Sequence, residues 1–154
     1  MTTLQQNIVI GHDIPPNILV MEDDLNVAKG LEMVLTEEGY EVNLAGTGEL
    51  ALKAFKEKRF DLLVADLRLP GINGMDVIKR VKEREPETEV IVITGYGTTA
   101  TAVEAMKIGV HDFLPKPFTE DQIKTAINEA LATQDEKAGK TEIKKAETKE
   151  EKII

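Results

Sequence analysis

Three runs of apolar residues mark the chain: Ile18-Leu19-Val20-Met21, Leu62-Leu63-Val64-Ala65 and Val90-Ile91-Val92-Ile93. A shorter one, Phe113-Leu114-Pro115, follows. Each is continuous rather than alternating, the pattern of strands covered on both faces of a sheet. Between the runs the apolar spacing changes to that of helices. Val27, Leu31, Val34 and Leu35 share one face after Asp24, a suitable cap, and Gly39 ends that helix. Tyr40 to Ala45 alternates weakly and reads as a second strand. Thr47 then caps a helix to about Lys58, with Leu50, Ala51, Ala54 and Phe55 expected to turn inward. Val77, Ile78 and Val81 mark a further helix ending before Pro86, and the next runs from about Thr98 to Ile108 and closes at Gly109. A last helix begins at Thr119 and places Ile123, Ala126, Ile127, Ala130 and Leu131 on one stripe.

Five strand–helix alternations predict an α/β fold with a five-stranded parallel sheet, doubly wound, with helices on both faces. Pro15-Pro16 separates this unit, residues 17–133, from an N-terminal extension, residues 1–16. Within the extension Ile8-Val9-Ile10 reads either as an extra strand or as a tail. Residues 134–154 hold six acids and six lysines with few apolar side chains, which marks a charged tail or a linker to a further domain.

The chain of 154 residues carries a net charge of −9, which argues against direct nucleic-acid binding but leaves room for a basic protein partner. It has no cysteine, so thiol catalysis and disulfides are excluded, and its two histidines, His12 and His111, are too far apart in sequence to suggest a metal site. No stretch reaches the ~18 apolar residues of a membrane span, and residues 1–6 lack the features of a signal peptide. The cytoplasm is the expected location.

Ligands of doubly wound sheets bind beyond the carboxyl ends of the strands, and the reactive residues of this chain fall there. Glu22-Asp23-Asp24 follows the first run, Asp66 the second, Thr94 closes the third and Lys116 follows the fourth. Clustered carboxylates suit a hard cation such as Mg²⁺; without one they repel and raise one another's pKa. Asp24 is explained by its place at a helix start, where acids oppose the dipole. Asp66 has the chemistry of a nucleophile toward a phosphoryl group, Thr94 that of a hydroxyl donor and Lys116 that of a compact positive charge. Taken singly, these residues read equally well as an Asp turn cap, a Thr helix cap and a surface lysine.

These segments resemble the receiver domains of bacterial two-component response regulators, most closely those of NtrC type. The likeness rests on Ile18 to Asp24, on Leu62 to Gly74 with Asp66, Pro70, Gly71 and Gly74, on Ile93-Thr94-Gly95-Tyr96-Gly97, and on Phe113 to Phe118. It implies a flavodoxin-like (βα)5 fold and a phosphorelay switch, not a metabolic enzyme. By that likeness Asp66 accepts a phosphoryl group from a phosphohistidine on a sensor histidine kinase or a histidine phosphotransfer protein. Asp23, Asp66 and the backbone carbonyl of Arg68 would ligate Mg²⁺, with Mn²⁺ able to substitute, and Glu22 would act largely through water. Thr94 and Lys116 would contact the phosphoryl group, Phe113 would be the switch aromatic, and Lys116–Pro117 a cis peptide. Arg68 and Tyr96 are expected to set phosphoryl lifetime by controlling water access. The domain would phosphorylate itself on Asp66 and autodephosphorylate, and would signal through the face built by the fourth helix, fifth strand and fifth helix, a possible homodimer surface. The output partner is either a separate protein or an effector domain of a longer NtrC-type transcription regulator of which this chain is the N-terminal part.

Two other readings compete. A flavodoxin-like nucleotide or flavin binder fits poorly, because no loop reads as a phosphate cradle and Gly95-Tyr96-Gly97 lacks the Lys-Ser/Thr of a P-loop. A hydrolase forming an aspartyl-phosphate would place a second acid two residues after its nucleophile, where this chain has Arg68.

Overall fold

A computed structural model describes residues 14–95 and 97–134. The calls on residues 1–13, on Tyr96 and on the tail beyond 134 therefore lie outside the described residues. Five strands and five helices alternate: β1 (Asn17–Met21), α1 (Leu25–Glu37), β2 (Glu41–Ala45), α2 (Gly48–Glu57) and β3 (Leu62–Asp66) come first. There follow α3 (Gly74–Arg84), β4 (Glu89–Thr94), α4 (Thr99–Ile108), β5 (Asp112–Pro115) and α5, residues 120–134. All pairings are parallel, in the order β2-β1-β3-β4-β5. The order turns back at β1, so the α/β sheet is doubly wound and leaves a crevice outside the ends of β1 and β3.

The continuous apolar runs fill two cores. Ile18, Val20, Leu62, Val64, Ile91 and Ile93 face α1 and α5, where they meet Leu31, Leu35, Ile123, Ile127 and Ala130. The intervening Leu19, Met21, Leu63, Ala65, Val90 and Val92 face α2, α3 and α4, against Ala51, Val77, Ile78, Val81 and Ala105. Burial on both sides is why these strands do not alternate polar and apolar.

Local chemistry sets the helix starts. Asp24, Thr47, Asn73 and Thr98 each cap a helix by accepting backbone N–H groups, and Thr98 and Thr101 form a reciprocal capping box. Gly109 closes α4 at φ 109°, a left-handed conformation that favours glycine. One residue departs from the expected pattern. Leu50 is 52% exposed instead of inward, because the buried face of α2 is centred on Gly48 and Ala51 and Leu50 lies a third of a turn away.

Candidate functional site

The acidic residues converge where β1, β3 and β5 end. Glu22 directly follows β1 and its amide donates to Ala45 O (3.0 Å), which continues the strand pairing past Met21. Asp66 is the last residue of β3, and both its carboxylate and that of Glu22 are buried, at 4% and 3% exposure. Asp23 is exposed. One carboxylate oxygen from each of Glu22, Asp23 and Asp66 lies within 4.8 Å of the others.

Lys116 crosses to this cluster from the end of β5. Its ammonium donates to Asp66 Oδ2 at 2.7 Å and to Glu22 Oε2 and Oε1 at 2.8 and 3.1 Å. Its amide donates to Thr94 O at 2.9 Å, which ties its backbone to the end of β4, and the peptide to Pro117 is cis. The other oxygen of Asp66, Oδ1, accepts the Arg68 amide at 2.9 Å, which fixes the start of the β3–α3 loop. Glu22 Oε1 likewise accepts the Asp24 amide at 3.1 Å.

Two anions and one ammonium in a partly buried space perturb one another. Burial raises the Glu22 carboxyl to about 7; the bond from Lys116 opposes this and the proximity of Asp66 adds to it. Burial alone would lower Lys116, but its bonds to Asp66 and Glu22 outweigh that and hold the ammonium above the ordinary lysine value. Lys116 therefore stays charged at neutral pH.

The cluster opens to solvent through a cleft of about 560 Å³ lined by Glu22, Asp23, Asp24, Val27, Asp66, Arg68, Gly95 and Lys116. Thr94 is buried at 1% exposure beside it, one residue beyond Ile93, the register partner of Asp66. It is not a wall of the cleft. A Cβ placed on Gly97 would fall 2.5 Å from Phe113 Cζ and 3.1 Å from Thr94 Cγ2, so the half-buried Phe113 ring and the Thr94 methyl meet under that glycine. His111 precedes β5, at the far ends of the strands from the acids.

Sequence reasoning brought Glu22, Asp23, Asp66, Arg68 and Lys116 to one place. It did not foresee that Glu22 pairs with Lys116, 94 residues away, nor that Val27 of α1 and Gly95 wall the cleft. No local signal marks these contacts, because they arise only from the strand order.

The family model of the response regulator receiver domain matches residues 18–128. The chain belongs to that family of receiver domains. Relatives of this receiver include the regulatory protein LuxO of Vibrio cholerae, 38% identical over 112 residues, which cover 73% of this chain and 25% of that protein. Another is the transcriptional regulatory protein FixJ of Bradyrhizobium diazoefficiens, 36% identical over 126 residues, 82% of this chain and 61% of that protein. The receiver also superposes on the crystal structure of NtrX from Brucella abortus with a TM-score of 0.80 at 30% identity, covering 84% of this chain and 30% of that one. The chain thus spans about a quarter of the length of the LuxO relative. Among the described residues no helix is long and apolar enough to cross a membrane.

Proposed function

We propose that residues 17–133 act as a cytoplasmic phosphorelay switch in which Asp66 accepts a phosphoryl group from a phosphohistidine. The donor is a sensor histidine kinase or a histidine phosphotransfer protein. One observation carries this reading: Asp66 is a buried carboxylate lining an open cleft, 2.7 Å from an ammonium. An ordinary surface aspartate has neither feature.

Transfer breaks the donor's P–N bond, forms a P–O bond to a carboxylate oxygen of Asp66 and returns the nitrogen lone pair to the donor imidazole. Lys116 balances charge on the incoming oxygens, and the Arg68 amide holds the nucleophile's orientation. The donor set suits a divalent cation: carboxylate oxygens lie within 4.8 Å of one another, a little beyond the roughly 4.2 Å that opposite ligands of one Mg²⁺ span. Asp23, Asp66 and the Arg68 carbonyl would hold Mg²⁺ or Mn²⁺, with Glu22 acting largely through water. The ion would neutralise the phosphoryl oxygens that carboxylates otherwise repel.

The response is a change of packing. Thr94 turns its hydroxyl toward the phosphoryl group, and Phe113, which has no hydroxyl of its own, follows into the vacated space. The face of α4, β5 and α5 then changes its contacts with an output protein, an effector domain of a longer regulator or a second copy. Val103 and Met106 on α4, 48% and 51% exposed, favour that face. Arg68 and Tyr96 set how long the phosphoryl group survives by controlling water access. No direct contact with nucleic acid is part of this reading.

Donor approach has a natural surface too. An apolar groove of about 590 Å³ between α1 and the start of α5 shares Val27 and Lys116 with the acidic cleft. A protein presenting a histidine to Asp66 would cover this groove.

Incubation with acetyl phosphate and Mg²⁺, followed by intact mass, tests the reading. We expect a single phosphoryl adduct that is absent in Asp66→Asn. Rapid turnover of acetyl phosphate with no adduct would favour a hydrolase, and an adduct retained in Asp66→Asn would remove Asp66 from its role.

A further inference from the structure

One edge of the sheet is open, and exposed leucines flank it on both faces. Among the described residues β2 pairs with β1 and with no other strand. The Glu41 amide donates to Pro16 O at 3.0 Å, so the amides of Glu41, Asn43 and Ala45 face β1. In a parallel ladder the alternate residues turn the other way. The N–H and C=O groups of Val42 and Leu44 therefore point out of the sheet, and such an edge is a template for a further strand.

On α1, Val27 and Val34 turn toward α5, where they line a groove with Phe118 and Ile123. Leu25 lies on the opposite flank of that helix and is exposed. On α2, Leu52 and Lys56 turn toward α3, and the exposed Leu50 lies on the other flank. Since α3 and α5 stand over the inner strands, both leucines overhang the β2 edge, one on each face of the sheet. A strand added there is covered from both sides, which calls for consecutive apolar residues and not for alternation.

The chain holds such a run that the receiver fold leaves unused, Ile8-Val9-Ile10. The described residues begin at the foot of this edge: the backbone bends at the exposed Ile14, and Pro16 already meets the start of β2. Crossing from β1 to the outer side of β2 takes two strand spacings, about 10 Å. Residues 11–16 span up to about 20 Å. A strand that ends at Ile10 beside Val42, antiparallel to β2, fits within that reach. A parallel one would also have to return the length of β2.

We propose that Ile8-Val9-Ile10 joins the sheet in cis as a sixth strand, antiparallel to β2. Ile10 pairs with Val42 and Ile8 with Leu44, each pair exchanging N–H···O bonds. The two isoleucines extend the core under α1, against which Val42 and Leu44 pack. Val9 stands opposite Asn43 on the α2 face, near Leu50. The added strand closes the edge to other copies of the chain. The proposal stands apart from the phosphoryl chemistry.

The absence of cysteine makes a direct test practical. Directly opposed residues of a non-hydrogen-bonded antiparallel pair have Cα atoms about 4.5 Å apart, within disulfide range. Val9→Cys combined with Asn43→Cys should therefore close an intramolecular disulfide in the full chain, about tenfold faster than Gln5→Cys with Asn43→Cys. Asn43 is exposed, so its replacement leaves the core untouched. The Val42 and Leu44 amides should exchange with deuterium about tenfold more slowly in the parent chain than in Ile10→Pro, which removes a donor from the added strand. The Asn43 amide, which faces β1, should exchange equally in both and so reports an intact fold. Equal cross-linking of the two cysteine pairs would overturn the proposal, as would Val42 and Leu44 exchange that Ile10→Pro leaves unchanged. So would a disulfide formed as readily between separate Val9→Cys and Asn43→Cys chains on mixing, since the occupant would then be a second copy.

Discussion

The Lys116 ammonium and Asp66 Oδ2 lie 2.7 Å apart although 50 residues separate them in the chain. The ammonium also spans the 2.8 Å to Glu22 Oε2, so one cation compensates two buried anions. Lys116→Met should leave both uncompensated and cost about 2 kcal/mol without a divalent ion, less than for a fully buried pair because the lysine is partly exposed. Millimolar Mg²⁺ should recover much of that loss. Urea unfolding with and without Mg²⁺ checks both; a variant as stable as the parent in EDTA would show that the pair is not stabilising.

Stability should also depend on pH through Glu22. Its carboxyl is raised to about 7 in the fold against 4.5 for the free group. Between those values the folded chain keeps a proton that the unfolded chain has released, so unfolding becomes easier as pH rises. The ion-free protein should therefore lose stability between pH 4.5 and 7, by up to about 3 kcal/mol before allowance for partial solvation. A divalent cation should reverse the trend, because it binds the ionised form. Chemical denaturation at pH 5 and pH 7.5 in EDTA and in Mg²⁺ measures this, and a stability that rises across the interval in EDTA would contradict it.

A protein donor and a small one should respond differently to the groove beside the cleft. Met33 lines that groove and is 61% exposed, so Met33→Glu leaves the core untouched. Phosphotransfer from a phosphohistidine protein should fall about tenfold, equivalent to about 1.4 kcal/mol of docking. The rate with acetyl phosphate should stay unchanged. Equal effects on both donors would place the groove outside the docking surface.

Two glycines make a paired test of backbone proximity. A Cβ on Gly74 would fall 2.5 Å from Asp66 O and 2.7 Å from Leu67 Cα, neither of which can yield without moving the end of β3. Gly74→Ala should cost about 2–4 kcal/mol and slow adduct formation. Gly30, inside α1, has nothing within 4 Å of such a Cβ. There the same change should stabilise the helix by up to about 1 kcal/mol. Thermal unfolding of the two variants, with adduct mass for the first, decides the matter.

The sequence made the strands legible because burial on two faces leaves unbroken apolar runs, as at Val90 to Ile93. It also showed the caps, since Asp24, Thr47 and Thr98 are residues whose oxygens serve a helix start. Leu50 misled because hydrophobicity alone does not say which third of a short helix faces inward. The acids at positions 22, 23 and 66 could be placed at one sheet edge, but their partners could not. The Glu22–Lys116 pair depends on β1 and β5 ending at the same level with β3 and β4 between them, and no local pattern encodes that.

At the end of α5, Gln134 donates from Nε2 to Asp61 O at 3.2 Å and to Glu87 O at 2.7 Å, a clasp with a mechanical corollary. Its carbonyl partners stand at the roots of β3 and β4, whereas Asp66 crowns β3 some five residues higher, a separation of roughly 16 Å. Chemistry at one pole and the departing polypeptide at the other cannot touch. A change at Asp66 can be felt at that end only through displacement of packed helices, so a substitution that loosens the packing should weaken the coupling and leave the carboxylate cluster intact.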